Sequence, residues 1–337
     1  MYICKVFINT EIPFEKEDKT LKKEDTIEEY YKDHPILCKP NVIYGGTGFY
    51  FDKAPRLPEE IEHIMPDYNL YKDYVEEAVK SKQMSVNNAK YYIDYSIGFT
   101  TRGCIRGCSF CVNQNYKKCS LHSPVSEFLD QDRPYIFLLD DNVLACKDWK
   151  RIFEELNATG KRFRFHQGMD ERLLTDEKCE VIFKSNWIGD FIFAFDNIND
   201  SEIIESKLKL IRKHTDKVLK FYVFCGYNHT SDDYSTEFWI QDIVDVFKRI
   251  QILSKYGCIP YIMRHNNYHN SPFRGMYVNL ARWCNQVQMF KKKSYREFVW
   301  FHEGITKKEH STIRHTKEFL SVYPEIEKYF DFKFQKQ

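Results

Sequence analysis

The chain has 337 residues, a formal net charge of +1, and abundant aromatic side chains, 23 Tyr and 27 Phe. That is enough apolar material for a sizeable core, in one large domain or two. The near-neutral balance excludes a globally polyanion-binding character. With no run of about 18 apolar residues and no leader-like N-terminus, a cytoplasmic protein without a membrane partner is expected.

Residues 1–40 open on the strand-like MYICKVFIN and become charge-rich through EKEDKTLKKEDTIEEYYKDH, which reads as a solvated helix or mobile segment. NVIYGGTGFYF follows, a strand running into glycines, and then the Pro-punctuated LPEEIEHIMPDYNLY. From about residue 90, short apolar or aromatic runs alternate with longer amphipathic ones. Strands are expected at 91–99, 135–140, 162–166, 190–196, 219–225 and 258–264. Helices are expected in KDWKRIFEELNATG, in TDEKCEVIFKSN behind a Thr cap, in DSEIIESKLKLIRKHT behind an acidic cap, and in TEFWIQDIVDVFKRIQILSKYG.

Six strands each followed by a helix imply a parallel sheet, because parallel neighbours need a crossover connection. Six units are too few for a standard eight-unit closed barrel, so the expected class is α/β, a partial (β/α)6 TIM-like barrel over 90–290. Residues 291–337 form a helical C-terminal extension, and 1–75 an N-terminal region and linker.

Eleven cysteines are present. Eight of them, at 4, 38, 119, 146, 179, 225, 258 and 284, are scattered singly, mostly within apolar runs, and read as small buried hydrophobes of a reduced compartment. The other three cluster in GFTTRGCIRGCSFCVNQ, at Cys104, Cys108 and Cys111. Zinc takes four ligands, usually in paired Cys-x-x-Cys sets. Only Cys108 and Cys111 form such a pair, and His122 would be needed to complete a site. A cubane iron–sulfur cluster matches better, since each thiolate holds one iron. Three thiolates then leave one iron open to a substrate or cofactor.

Cys104-x3-Cys108-x2-Cys111, with Phe110 before the last cysteine, resembles the signature of the radical S-adenosylmethionine (SAM) superfamily. The likeness covers about residues 90–290. It implies a 4Fe–4S cluster on the three cysteines, with SAM chelating the open iron. One electron then yields methionine and a 5′-deoxyadenosyl radical that abstracts hydrogen from a small-molecule or RNA substrate. A one-electron reductant such as flavodoxin or ferredoxin would supply the electron. Phe110 would lie near the adenine, and Arg102 and Arg106 beside the cluster.

On the same resemblance, Asp141 and Asn142 would replace the usual Gly-Gly-Glu turn that binds the methionine amino group, or else cap the following helix. Gln167, Asp170 and Arg172 cluster after the third strand, where Arg172 would clamp the methionine carboxylate or pair internally with Asp170. Asp196 or Asn197 would accept from the ribose hydroxyls. Tyr227, Asn228, Arg264, His265 and Asn266 would face the substrate end, and His265 with His269 would form an acid or metal pair in the bolder reading.

VIYGGTGF followed by LPEEIEHIMPDYNLY looks like the end of the cobalamin-binding-type Rossmann domain that precedes many such barrels, here short and incomplete. No Asp-x-His-x-x-Gly sequence is present, so cobalamin is not expected. Two other readings stay open: a zinc- or cluster-binding nucleic-acid module using the basic stretches FKKKSYREF and ITKKEHSTIRHTKEF, and a scaffold whose cluster is only structural.

Overall fold

The computed structural model describes residues 2–4, 39–50, 56–113, 116–304 and 308–336. The charge-rich segment expected to be a solvated helix lies outside these residues. Contacts divide the chain into two units. Met1–Pro66 groups with Gly103–Lys118, and Asp67–Arg102 groups with Cys119–Gln337. The cysteine segment therefore belongs with the N-terminal region rather than with the strands that flank it in sequence.

In the first unit, β1 (Tyr2–Cys4) pairs parallel with β2 (Ile43–Gly45), Ile3 opposite Tyr44. Gly46, at φ +95°, turns the chain out of β2 into the short helix Thr47–Tyr50. The buried Tyr44 ring meets Phe49 edge-on at 5.4 Å.

The second unit holds β3 (Tyr95–Gly98), the short antiparallel ladder of β4 (Thr101–Arg102) and β5 (Ser120–Leu121), and then β6 (Tyr135–Leu138), β7 (Arg162–Phe165), β8 (Ile192–Ala194), β9 (Leu219–Cys225) and β10 (Cys258–Arg264). Its helices of eight or more residues are α1 (Lys72–Lys80), α2 (Val86–Ile93), α3 (Trp149–Ala158), α4 (Asp176–Lys184), α5 (Ser201–Ile211), α6 (Thr236–Lys255), α7 (Arg274–Cys284) and α8 (Ser311–Val322). The class is α/β with parallel sheets. β3–β6–β7 form one three-stranded sheet and β8–β9–β10 another. Isolated bridges, Phe163 to Trp187 and Met169 to Phe193, join the two, and no closed barrel forms among the described residues.

Two expectations need correction. The run 91–99 is not one strand: its first three residues end α2, because Ser85 caps that helix by accepting from the Asn88 N–H at 3.2 Å and so commits the following residues to helical geometry. Nor is every strand followed by an α-helix. Between β3 and β6 the described residues form the β4–β5 ladder, the cysteine segment and a 3-10 turn at Val125–Glu127. The helices after β6, β7, β8 and β9 lie where their stop and start signals put them. Thr175 and Ser235 accept from Lys178 N and Phe238 N, and Gly160 and Gly257 end α3 and α6 with positive φ.

One face of the strands is fully buried. Phe163, Phe165, Phe193, Phe221 and Val223 pack against Phe153, Leu156, Ile243, Phe247 and Ile250 from the helices. Each such side chain contributes about 2–3 kcal/mol of transfer free energy. β9 shows the alternation clearly, with Leu219, Phe221, Val223 and Cys225 buried and Lys220, Tyr222 and Phe224 half-buried. The C-terminal segment joins the same core through Tyr295, Val299, Phe319, Ile326 and Phe330, and Ser254 at the end of α6 donates to Lys333 O at 3.0 Å.

Candidate functional site

The cysteine segment is shaped by glycine. Gly103 is buried at φ +92°, and a Cβ there would lie 2.4 Å from Lys118 O, so only glycine lets the two ends of the segment come together. Gly107, at φ +58°, bends the chain again between Cys104 and Cys108. Cys111 N donates to Cys108 O at 3.0 Å, closing a turn, and Asn113 N donates toward Cys111 Sγ at 3.4 Å. Cys104, Cys108, Phe110 and Cys111 are all half-buried, and Arg106 is exposed.

Five of the other cysteines follow different chemistry, whereas Cys119, expected as a small buried hydrophobe, is half-buried. Cys146, Cys179, Cys225, Cys258 and Cys284 are buried, and burial pushes the Cys179 thiol up to about 11 and that of Cys258 to about 12. Thiols in such surroundings stay protonated and inert.

The trio supplies three soft donors on one turn-rich loop with a backbone N–H aimed at one sulfur, a donor set whose chemistry suits an iron–sulfur cluster. The sulfurs are not drawn together: among the described residues no group of three or more His, Cys, Asp or Glu side chains is gathered closely enough to hold a metal, His122 included.

In the second unit, the carboxyl ends of the strands carry most of the polar residues marked by the sequence. Asp140, just past β6, is buried and ties down the segment that leads from β3 into β4. Its Oδ1 accepts from Thr100 Oγ1 at 2.6 Å, Thr101 N at 2.6 Å and Thr101 Oγ1 at 2.7 Å, and its Oδ2 from Thr100 N at 3.1 Å. Burial raises its pKa, and the four hydrogen bonds pull against that rise. The adjacent Asp141 is half-buried and Asn142 is buried; the Asn142 side chain makes no capping hydrogen bond to the 3-10 turn Val143–Ala145.

After β7, Gln167 is exposed and Asp170 buried. Arg172 takes its internal alternative rather than waiting for a carboxylate. Its Nε donates to Asp170 Oδ1 and its Nη1 to Asp200 Oδ2, both at 2.7 Å. Asp200 is thereby drawn into the ion pair and makes no side-chain cap on α5, against expectation.

Sequence reasoning passed over Glu171 between them. It is 1% exposed, its Oε2 accepts from Ala194 N at 3.2 Å, and burial with the nearby Asp170 charge raises its pKa to about 8.

Asp196, at the end of β8, accepts from Phe224 N at 3.3 Å, and burial raises its pKa to about 6 against the pull of Arg249. Arg249 is a buried cation that donates through Nη1 to Phe195 O, Asp196 O and Phe224 O at 2.8–3.0 Å. Asn197 accepts from Asn199 N and closes a local turn.

After β9, Gly226 at φ +77° donates its N–H to Asp242 at 2.8 Å, and Tyr277 OH donates to the same oxygen at 2.7 Å. Asn228 donates to Asp233 O at 2.6 Å and is part of a loop turn. Arg264 is exposed with its guanidinium 4.6 Å from the Tyr268 ring centre. His265 accepts from Asn267 N at 3.3 Å and so caps the turn containing Asn266 and His269. Its ring sits 4.9 Å from that of Tyr227, and burial lowers its pKa.

Three cations of the basic stretches near the C-terminus are held in ion pairs. Arg296 pairs with Glu327 and Asp331, Lys317 with Glu309, and Arg314 with Glu318. No helix among the described residues is long and apolar enough to cross a membrane. Comparison with protein-family models, with curated proteins and with solved structures finds no match to this chain.

Proposed function

We propose that this chain is a radical SAM enzyme in which Cys104, Cys108 and Cys111 hold a 4Fe–4S cluster with one iron left for SAM. The observation that carries the reading is the cysteine segment itself. Three half-buried thiols lie on a loop shaped by left-handed glycines, with a backbone N–H directed at Cys111 Sγ, while five other cysteines are sealed in the core. The segment is spliced into the chain directly after the first parallel strand, between β4 and β5.

The strand order supports the accompanying fold reading. Each of the six parallel strands neighbours the next in sequence, with no reversal of the kind a doubly wound sheet has at its centre. With right-handed crossovers this winding puts the helices on one face. We therefore read the sheets as a partial (β/α)6 barrel, and the parallel β1–β2 pair as an incomplete Rossmann-like segment.

When bound, the reduced cluster supplies the single electron that splits the sulfonium bond of SAM and starts radical chemistry; a flavodoxin or ferredoxin would deliver that electron. Phe110 would lie along the adenine, Asp141 and Asn142 would hold the methionine amino group, and Asp196 would accept from the ribose hydroxyls. Gln167 and Arg264 add donors at the same ends of the strands. Arg172, held by two carboxylates, orders Asp170 and Asp200 and is withdrawn as the carboxylate clamp.

The test is anaerobic reconstitution with iron and sulfide, reduction with dithionite in the presence of SAM, and mass spectrometry of the products. The reading expects 5′-deoxyadenosine and methionine in equal amounts, both abolished by Cys108→Ala. A colourless protein carrying one zinc would replace it with a zinc module, and a brown protein that leaves SAM intact would replace it with a structural cluster.

A further inference from the structure

Arginines embedded in the sheet unit are otherwise fully employed. Arg133 donates to Tyr68 O, Tyr92 O and Tyr95 O, Arg249 to three strand-end carbonyls, Arg212 to Tyr256 O and Lys217 O, and Arg172 to two carboxylates. Arg164 is the exception. It makes no hydrogen bond or ion pair among the described residues, and its Nε is buried without an acceptor. Its guanidinium instead lies over aromatic rings, 4.6 Å from the centre of Phe137 and 5.8 Å from those of Tyr95 and Tyr91. Buried donors are rarely left this way in native proteins, and one that is asks for an explanation.

Register shows which face Arg164 serves. Ile97, Phe137 and Arg164 form one row across β3, β6 and β7, and Ala194, Tyr222 and Tyr261 form another across β8, β9 and β10. Both rows alternate with the buried Phe163, Phe165, Phe193 and Phe221, so they lie on the face opposite that core, where Tyr91 from the end of α2 also approaches Arg164. A Cβ at Gly168 would meet the Tyr222 ring at 3.3 Å, so the chain leaving β7 passes close against that ring. Arg164 and Tyr222 are half-buried, and Tyr261 is 38% exposed. A parallel sheet normally covers both faces; here one face offers a cation and aromatic rings to an occupant.

We propose that Arg164 anchors an anionic group, a carboxylate or a phosphate, on a substrate whose aromatic part lies along Tyr222 and Tyr261. The proposal rests on the radical SAM reading for calling the occupant a substrate. Guanidinium donors match both anions in a bidentate fashion, and a ring laid against the Tyr222–Tyr261 pair, whose own centres are 5.8 Å apart, adds edge or face contacts.

The test uses the full chain as isolated, without cluster or SAM, labelled with [15Nε]arginine. The Arg164 Nε–H resonance is the one lost in Arg164→Lys. Phenyl phosphate, benzoate, inorganic phosphate and phenol are then titrated. A saturable shift is expected with phenyl phosphate or benzoate and none with phenol, and the tighter anion names the group. Arg164→Gln should weaken that binding about tenfold or more. Tyr261→Ala, at an exposed position, should weaken it roughly threefold while leaving inorganic phosphate unchanged.

No shift with either aromatic anion at about 10 mM, or equal binding to Arg164→Gln with an unchanged melting midpoint, would overturn the proposal. So would one-for-one displacement of the anion by SAM, which would make the bound group the cofactor's own carboxylate. Should Arg164→Gln not fold, Arg164→Lys and Tyr261→Ala still decide it. Because no iron is present, this result and the cleavage assay can fail separately.

Discussion

At the carboxyl ends of the parallel strands, buried and half-buried carboxylates are consumed by the chain itself: Asp140 by two threonines, Asp170 and Asp200 by Arg172, Asp242 by Gly226 and Tyr277. The cysteine segment is built differently. Left-handed glycines and backbone contacts such as Cys111 N to Cys108 O shape it, and among the described residues its half-buried thiols are not gathered into a group of three that could hold a metal. The first region is finished by folding alone. On the proposed reading, a cluster would impose the final geometry of the second, as happens when metal binding is coupled to local ordering.

That contrast is sharpest at Asp140. Asp140→Ala removes the shared acceptor of four donors, leaving hydroxyl and amide groups of Thr100 and Thr101 buried without a partner. The expected loss is about 3–5 kcal/mol in urea unfolding. A loss below about 1 kcal/mol would mean that water replaces the carboxylate and that the strand ends are not closed as described.

A smaller effect of opposite sign is expected at Glu171. Burial raises its native pKa from 4.5 to about 8, so the native state keeps a proton that the unfolded chain has released. Stability from this group is therefore full below about pH 4.5 and is lost as the pH rises through about 8. Glu171→Gln keeps an acceptor for Ala194 N and should gain roughly 2–4 kcal/mol at pH 8 and nothing at pH 4. Melting curves across that range check it, and a gain independent of pH would contradict the burial argument.

The parts of this architecture that local rules govern were readable in advance. LKFYVFC alternates with period two and folds as β9, and Thr175 caps its helix as expected, while the Ser235 cap on α6 went unread. Tyr91, Tyr92 and Ile93 were misleading, since aromatic and β-branched residues favour strands but a cap at Ser85 had already committed them to a helix. Arg172 could not be assigned from sequence because its second partner, Asp200, stands 28 residues away. Glu171 carries no local signal of burial at all. Arg164 did carry one: in RFRF the phenylalanines take the core and the arginines the opposite face, a pattern that marks a charged row on a sheet.

The central claim is that three thiols hold a cluster with one iron open to SAM. Iron analysis of the anaerobically reconstituted chain, joined to electron paramagnetic resonance of the reduced protein with and without SAM, tests it most directly. The account expects about four irons per chain, a cluster signal that changes when SAM is added, and loss of both on replacing Cys104, Cys108 and Cys111 with alanine. Iron retained without the three cysteines, or a signal indifferent to SAM, would contradict it.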